Sequence, residues 1–262
     1  MSPDDHTSLF ERLARAESLR APVSGIASDY PGATRIPRHS HGRHQLMHAI
    51  SGTLHVLTDR GSWLVPPDSA LWMPATLEHE VTTFGTVRLR SVYLDPGVTD
   101  ISLDRPEVLR VSPLVQALIV EIVALETIEE PSARSALLLH LLLVEIARME
   151  RQPLALPLPR HPRLRRLCRA FLETPTAHLS LDDWACEAAM SRRGLTRHFR
   201  EETGLSPGRW RQHACVLHAL PKLLAGASVT TVALDLGYDS AAAFTTMFRR
   251  ILGEPPRRFR AA

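Results

Sequence analysis

The 262-residue chain contains little cysteine and no long apolar run, and each of these two shortages argues against a class of protein. Its three cysteines form an odd set without the spacing of a metal site, which argues against a disulfide framework and a cysteine-bound zinc. Its apolar stretches fall short of the roughly 18 residues that a membrane-spanning helix needs. Charges throughout the first twenty residues argue against a secretory signal. We therefore expect a cytoplasmic protein that does not enter a membrane.

Lysine is almost absent as well, because Lys222 is the only one and arginine carries nearly all the positive charge. Residues 160–262 hold 17 Lys and Arg against 9 Asp and Glu (net +8), whereas residues 1–159 hold 14 against 19 (net −5). A coding bias explains why the cations are arginines, but it does not explain why they lie in one half. The basic half therefore predicts contact with a polyanion, and nucleic acid is the main candidate.

The length predicts two domains, and a pattern of short strands marks the first of them. After an N-terminal segment (1–21), residues 22–100 contain short apolar stretches separated by turns rich in Gly, Pro and Asp. Many short strands at close spacing are typical of an antiparallel barrel or sandwich. The strands are predicted at 46–50, 53–58, 63–65, 70–73 and 87–94.

Residues 106–150, within a region 101–150 predicted to serve dimerisation or as a linker, change to a helical period and are predicted to form two helices, separated at Pro131. The second helix is apolar on more than one face, which leaves two interpretations: a dimer seam, or burial against the chain's own barrel. The predicted stripe of the first helix comprises Leu114, Leu118, Ile122 and Leu125, and that of the second comprises Ala136, Leu137, His140, Leu141, Val144 and Ala147.

A proline-rich segment, 151–162, separates the two domains. Its four prolines cannot continue a helix and favour an extended, semi-rigid spacer. Residues 163–260 are then predicted to be all-helical, because serines at N-cap positions and glycines at C-terminal ends delimit successive helices. Pro221 lies inside one of these helices and predicts a kink or a break.

The helical domain repeats itself at an offset of 49 residues, which aligns Ser191 with Ser240 and Phe199 with Phe248. Each repeat is predicted to contain a helix, a tight turn and a second helix that buries apolar residues four positions apart. Two such second helices on one polypeptide can enter successive major-groove segments about one turn (~34 Å) apart. An ordinary solvated face is the alternative for either helix alone, and the repeat together with the basic charge favours DNA.

The outward faces of these two helices carry arginine and threonine. Arginine can bind guanine O6 and N7 together, and threonine offers a hydroxyl and a methyl group to base edges. The predicted DNA-contacting residues are Ser191, Arg192, Arg193, Thr196, Arg197 and Arg200 in the first copy, and Ala242, Thr245, Thr246 and Arg249 in the second.

Residues 163–260 resemble the DNA-binding domain of the AraC/XylS family of bacterial transcription regulators. The stretches 190–200 and 237–250 carry the resemblance, together with the Gly and Pro positions that follow each of them. The resemblance implies two helix-turn-helix units, at about 181–202 and 229–252, that bind double-stranded DNA. Because Ala242 and its alanine neighbours cannot form side-chain hydrogen bonds, we expect the first recognition helix to supply most of the direct readout of bases.

The first domain resembles the cupin-like sensory domain of the same family. His39 and His41 lie in a stretch similar to the first cupin motif, and His79 lies in one similar to the second. At i and i+2 the first two histidines are predicted to share a strand face, where His79 could complete a three-histidine site for a divalent transition metal. Metal-binding cupins have a glutamate where this chain has Gln45. We therefore expect His39, His41, Gln45 and His79 to bind either a metal or a metal-free effector.

The predicted fold class has two domains: an all-β cupin-like barrel followed by helices, and an all-α domain with two helix-turn-helix units. Three functions are compatible with it. The first is a transcription regulator whose promoter occupancy depends on a small molecule or metal in the barrel; its partners would be promoter DNA, a second copy of the chain and, for an activator, RNA polymerase. The second is a metal-dependent cupin enzyme fused to a DNA-binding domain, and the third is an interaction protein whose first domain only dimerises.

We favour the first function and expect no enzymatic activity. Gln45 replaces a carboxylate, and no other acid–base group accompanies the histidines in the sequence motifs.

Overall fold

The computed structural model describes residues 11, 14, 22–31, 34–98, 101, 103–125, 127–128, 132–152 and 154–260. The predicted N-terminal segment 1–21 therefore lies almost wholly outside the described residues. The chain divides into two compact units, one formed by residues up to 58 with 63–155, the other by 59–62 with 156–262. Within the described ranges, no helix is long and apolar enough to cross a membrane.

The first unit is built on two antiparallel sheets. The first sheet has the strand order β10-β1-β8-β3-β6-β9, and the second has the order β11-β5-β4-β7-β2. The bounds are β1 Val23–Tyr30, β2 Arg35–His39, β3 His44–Ala49, β4 Thr53–Thr58, β5 Gly61–Val65, β6 Ser69–Met73, β7 His79–Phe84, β8 Val87–Leu94, β9 Glu107–Arg110, β10 Thr127–Ile128 and β11 Ala155–Pro157.

The five predicted strands are present, and further strands lie where the sequence pattern was weak. The expectation that the period is helical from about residue 106 is wrong for β9, which pairs with β6 at the edge of the first sheet. This strand has only four residues, Glu107–Arg110, with charged residues at both ends. Such a short segment carries too little periodicity to be distinguished from a helix start.

Two helices, α1 (Pro113–Ala124) and α2 (Ala133–Arg148), pack in one apolar cluster with side chains of the first sheet. Gly25 in β1 allows the close approach of α1, because a Cβ at this position would lie 2.5 Å from Val123 Cα. The shared core contains Leu46, Trp72, Val92 and Leu109 from the sheet with Leu118, Ile119, Ile122, Leu142 and Ile146 from the helices.

The predicted stripe of α1 is wrong at both ends. Leu114 is 48% exposed and Leu125 is 36% exposed, whereas Leu118 and Ile122 are buried as expected. The buried face also includes Val115, on the turn that precedes Leu118. Because α1 is apolar on most sides, spacing alone could not locate the face that packs.

The second unit is helical. Serines cap α4 to α8 at their N-termini, and each serine side chain accepts a hydrogen bond from a backbone N–H three residues on. The bounds are α3 Pro162–Glu173, α4 Leu181–Glu187, α5 Arg192–Thr203, α6 Pro207–Leu224, α7 Val229–Asp235 and α8 Ala241–Leu252, with a short 3-10 helix at Pro256–Phe259.

Pro221 does not break its helix: α6 continues to Leu224, and Pro221 lies in the last turn. In the predicted spacer 151–162, residues Ala155–Pro157 form the extended strand β11. Leu154, Leu156 and Leu158 are buried in alternation, and the backbone N–H of Leu64 donates to Leu154 O at 3.1 Å.

The two helix-turn-helix repeats differ by one residue in the turn. The first helices, α4 and α7, begin 48 residues apart, whereas the second helices, α5 and α8, begin 49 apart. Before the extra residue the backbones match: Ala189 (φ 53°) and Gly237 (φ 70°) are both left-handed and lie 48 residues apart. The sequence offset of 49 therefore holds for the recognition helices, and the preceding helices follow an offset of 48.

We predict that Gly237→Ala destabilises the protein more than Gly253→Ala. Both glycines have left-handed backbones (φ 70° and 79°), so either substitution costs about 1 kcal/mol. Only at Gly237 would the new Cβ also lie 2.7 Å from side-chain atoms of Thr176 and His178, which adds about 1 kcal/mol; nothing lies within 4 Å at Gly253. Urea unfolding of the two variants measures the difference, and equal losses would contradict the steric argument.

Candidate DNA-binding helices and effector site

The recognition helices α5 and α8 are oriented by matching apolar pairs. Leu195 and Phe199 in α5 are fully buried, as are Phe244 and Phe248 in α8. Because these residues fix one face of each helix inward, the opposite face is directed to solvent. The predicted positions on that face are all exposed or half-buried: Ser191, Arg192, Arg193, Thr196, Arg197 and Arg200 on α5, and Ala242, Thr245, Thr246 and Arg249 on α8.

Several side chains on these faces already have partners. Arg192 Nη1 lies 3.5 Å from Asp182, and Arg197 Nε lies 3.9 Å from Glu201. Both pairs are solvent-exposed, so they are weak and can exchange for a phosphate or a base. Among the described residues, the side chains of Arg193, Arg200 and Arg249 form no ion pair. The arginine face of α5 thus carries charge that the protein itself only partly neutralises.

One threonine on each recognition helix forms a hydrogen bond to the backbone carbonyl four residues before it. Thr196 donates its hydroxyl proton to Arg192 O at 2.9 Å, and Thr246 donates to Ala242 O at 3.0 Å. A hydroxyl held in this way keeps lone pairs as acceptors and leaves its methyl group exposed, which suits a thymine methyl or a cytosine amino group.

Ser191 and Ser240 are the N-cap residues of the two recognition helices, as their positions in the sequence predicted. Each side chain caps its recognition helix, Ser191 Oγ accepting from Gly194 N–H and Ser240 Oγ from Ala243 N–H, both at 3.1 Å. Ser191 was predicted to contact DNA as well. Its hydroxyl proton is not used by the cap, so a phosphate contact is compatible with this geometry.

In the first unit, three histidines and one glutamine come together at one end of the second sheet. His39 at the end of β2 pairs in register with His79 at the start of β7. The ring centroids of His39 and His79 are 4.4 Å apart, those of His41 and His79 are 5.2 Å apart, and those of His39 and His41 are 6.2 Å apart. The expectation that His39 and His41 share a strand face is wrong, because β2 ends at His39 after a register shift and His41 lies in the following loop.

Each histidine uses its Nδ1 in the same way. His39 Nδ1 lies 2.8 Å from Pro37 O, His41 Nδ1 lies 2.7 Å from Arg43 O, and His79 Nδ1 lies 2.9 Å from Leu77 O. Because a carbonyl only accepts, Nδ1 carries the proton in all three rings. In a neutral ring Nε2 is then the atom with a free lone pair.

His79 has the most unusual environment of the three. Its side chain is fully buried, and its Nε2 has no hydrogen-bond partner among the residues that the structure describes. Burial, with the positive charge of His39 as a smaller cause, lowers the pKa of His79 to about 3, so the ring is neutral near pH 7. A buried acceptor without a partner costs free energy, and a ligand that donates a proton to it recovers that cost.

Gln45 connects His41 to the first sheet. Its amide oxygen lies 2.9 Å from His41 Nε2, and its amide nitrogen donates to Ser91 Oγ at 3.0 Å and to Tyr93 Oη at 2.7 Å. In this orientation His41 Nε2 must also be a donor, which requires the imidazolium form. Turning the amide over suits the neutral ring, because the amide nitrogen then donates to Nε2 and the oxygen accepts from both hydroxyls.

Two observations bear on metal binding at these four residues. Among the residues that the structure describes, no three His, Cys, Asp or Glu side chains are grouped as metal ligands, and Gln45 already bonds to His41 Nε2. The bonds of the three Nδ1 atoms to backbone carbonyls nevertheless match the second shell of metal-bound histidines.

Ser91 and Tyr93 also contribute to this site. They lie on β8 and pair in register with Met47 and Gln45 of β3. Because the pairing of β3 with β8 joins residues more than 40 positions apart, no local pattern places Ser91 beside Gln45. Trp72 belongs to the core beneath the helices and stacks on His44.

Two family models match the chain, one over each domain. The model of an AraC-like ligand binding domain matches residues 20–190, and that of a helix-turn-helix domain matches residues 184–262. The chain belongs to the AraC family of transcription regulators. The HTH-type transcriptional regulator NimR of Escherichia coli K12 is 33% identical over 223 residues, which are 85% of this chain and 81% of NimR. RipA of Corynebacterium glutamicum is 32% identical over 105 residues, which are 39% of this chain and 31% of RipA.

Two of the solved structures that are similar to the chain illustrate the range of the matches. The C-terminal domain of AraT from Geobacillus stearothermophilus is 25% identical, with a TM-score of 0.36, and the match covers 38% of this regulator and 84% of that domain. An apo variant of ToxT from Vibrio cholerae is 9% identical with a TM-score of 0.40, and the match covers 92% and 97% of the two chains. The regulator therefore combines an AraC-like ligand-binding domain with a DNA-binding helix-turn-helix domain.

We predict that Arg197→Ala abolishes discrimination between operator and unrelated DNA, whereas Ala242→Ser changes it little. The arginine can donate two hydrogen bonds to one guanine, worth about 1–3 kcal/mol, whereas a serine at 242 adds a single hydroxyl. Footprinting on an operator selected from random duplexes, with unrelated DNA as reference, measures both changes. Equal losses would contradict this ranking of the two helices.

Proposed function

We propose that this AraC-family regulator binds promoter DNA through α5 and α8 and that a small molecule in the first unit sets promoter occupancy. The proposed base contacts are Arg193, Thr196 and Arg197 on α5, with Ala242, Thr245 and Thr246 on α8 adding methyl packing. Ser191, Arg192, Arg200 and Arg249 would contact phosphates. The unequal chemistry of the two helices supports unequal roles, because α5 presents four exposed arginines and α8 begins with three alanines.

The proposed effector binds at His39, His41, Gln45 and His79. The observation that carries this assignment is the buried Nε2 of His79 without a hydrogen-bond partner. An effector with an N–H or O–H group would donate to that nitrogen. The Gln45 amide, which suits either protonation state of His41 by turning over, would then adapt to a second polar group of the effector.

We favour an organic effector over a divalent metal, because Gln45 bonds to His41 Nε2 and no three His, Cys, Asp or Glu side chains of the described residues are grouped as metal ligands. The function of a metal-dependent enzyme is disfavoured on the same ground, and both curated relatives are named as transcriptional regulators. We propose that the chain acts in the cytoplasm and has no enzymatic activity. If it activates transcription, RNA polymerase is a further partner.

We assign the sensory domain to 22–100, the helical dimerisation region to 101–150, the linker to 151–162 and the DNA-binding domain to 163–260. Dimerisation is proposed through α2. Its predicted stripe forms the exposed face of the helix, where Leu137 is 71%, Val144 41% and Leu141 39% exposed. The opposite face, with Leu142 and Ile146, is buried in the core. The buried face supports the interpretation that the helix packs against its own barrel, and we propose the exposed face as the dimer seam.

We predict that the effector loses its influence on DNA in His79→Gln and keeps it in His48→Gln. His48 is a matched control. Like His79 it is fully buried, its Nδ1 is bonded to a backbone carbonyl (Ser69 O), and its Nε2 has no partner among the described residues. Unlike His79, it lies on the strand face opposite to Gln45 and away from the proposed site. Compounds with N–H or O–H groups are screened by thermal shift on the full chain. Compounds that raise the melting temperature are then tested for a change in operator affinity by footprinting.

The same preparation is analysed for metals by mass spectrometry beside the double variant His41→Ala/His79→Ala. Near-stoichiometric metal that the double variant loses would replace the organic effector with a metal. If neither metal nor compound changes operator affinity, the first domain only dimerises and the effector proposal is wrong.

We predict that Leu137→Glu/Leu141→Glu converts a dimer into monomers. Two charges on the exposed stripe of α2 would face each other across a symmetric seam, at a cost of several kcal/mol per dimer. Leu234→Glu is the matched control, because Leu234 is an exposed leucine of α7 in the other unit. Sedimentation equilibrium measures the association. Dimers of unchanged affinity in the double variant would rule out this face as the seam.

A further inference from the structure

The first unit contains a cavity that shares no described lining residue with the histidine site. Its volume is about 510 Å³, within the range of small-molecule sites. Buried side chains of Leu109 and Ile146 lie at its base, and Leu103, Leu143 and Met149 are among the apolar groups of its walls. The cavity is thus formed where α2 passes the edge strand β9.

Only two polar side chains, His140 and Arg151, are found among the described lining residues. The position of Arg151 is fixed by the backbone. Arg110 N–H donates to Glu150 O at 2.8 Å, and Gln152 N–H donates to Val108 O at 2.7 Å. These two bonds flank the pair Leu109 and Arg151, which form an antiparallel bridge. Directly opposed residues lie on the same face, so Arg151 is directed to the cavity side together with Leu109.

The neighbouring arginine provides a contrast. Arg110 alternates to the other face of β9, where it lies 3.6 Å from Asp68 and 3.6 Å from Glu150. Across the described part of the chain, the side chain of Arg151 forms no ion pair and no hydrogen bond, and no acidic residue lines the cavity. The nearby carboxylates therefore pair with Arg110 on the other face of the strand. Among the lining residues that are described, Arg151 remains as the one arginine without a paired carboxylate, at the polar end of the cavity.

We propose that this cavity binds an amphipathic carboxylate, whose apolar body lies against Leu109 and Ile146 and whose carboxylate pairs with Arg151. Charge complementarity selects this occupant, because apolar walls with a single unpaired guanidinium suit an apolar anion better than a neutral or cationic molecule. Val144 lines the cavity and also belongs to the exposed stripe of α2. An occupant would therefore touch the helix to which we assign dimerisation.

Decanoate and 1-decanol are the probes, since they share an apolar chain and differ in charge. Isothermal titration of the full chain, below the micelle concentration, is expected to show that decanoate binds about tenfold more tightly than 1-decanol. This factor is the contribution expected of one charge-assisted hydrogen bond. Arg151→Gln should remove this advantage and leave 1-decanol unaffected. Arg110→Gln, on the opposite face of the same strand pair, should leave both affinities unchanged.

Ala147→Trp tests the location. Ala147 is an exposed residue of α2 that lines the cavity, so a tryptophan can fill the space without disturbing the core. This variant should lose both ligands while its far-UV circular dichroism spectrum stays unchanged. Binding that survives Ala147→Trp, or that weakens equally in Arg110→Gln and Arg151→Gln, would overturn the proposal.

Two further results would also overturn it. Loss of decanoate binding in His79→Gln would place the ligand at the histidine site. Absence of binding by the parent chain, combined with weaker dimerisation of Ala147→Trp in sedimentation, would show that a second copy of the chain fills the cavity. Since neither the effector assignment nor the family membership enters this test, its failure leaves both untouched.

Discussion

The packing of α1 on the first sheet determines most of the geometry of the ligand-binding unit. The helix approaches β1 so closely that only glycine fits at position 25. Leu46 of β3 joins the core beneath the helices, and the alternation of the strand then directs Gln45 to the other face, where it meets His41 and Tyr93. The position of α2 above the same core leaves one face of that helix exposed and leaves the cavity beside β9. The proposed effector site, the proposed dimer face and the cavity beside β9 thus depend on one buried interface.

The DNA-binding unit depends on a comparable apolar centre. Phe171, Trp184, Phe199 and Trp210 pack with ring centroids 5.5–6.0 Å apart, and they join four helices around the first recognition helix. Aromatic pairs at this separation stabilise beyond the area they bury. Because Phe199 is held in this cluster, the arginines of α5 have a fixed direction. The orientation of charge toward DNA is therefore a consequence of aromatic packing.

The sequence allowed prediction of features that depend on local pattern. The serine caps, the terminal glycines, the repeat of the recognition helices and the exposed arginine face all follow from neighbours within a few residues. The predictions that were wrong concern residues whose positions depend on partners far away in the chain. Leu114 appeared to belong to a buried stripe, but the face of α1 that packs is chosen by the sheet. His41 lies outside a strand because β2 shifts register against β7, and the pairing of Arg151 with Leu109 joins segments that are far apart in the chain.

The turn between the two helices of each repeat limits how these units can be exchanged. The second turn is one residue longer than the first, so a chimera joined within the turn would join one helix pair by a turn of the other pair's length. The connection would then be one residue too long or too short for the packing of the buried pairs, Leu195 with Phe199 or Phe244 with Phe248, that orient the recognition helices. An exchange that starts and ends at the serine caps and terminal glycines, 180–204 for 228–253, keeps each turn with its own helix. The repeats are therefore interchangeable as whole units only.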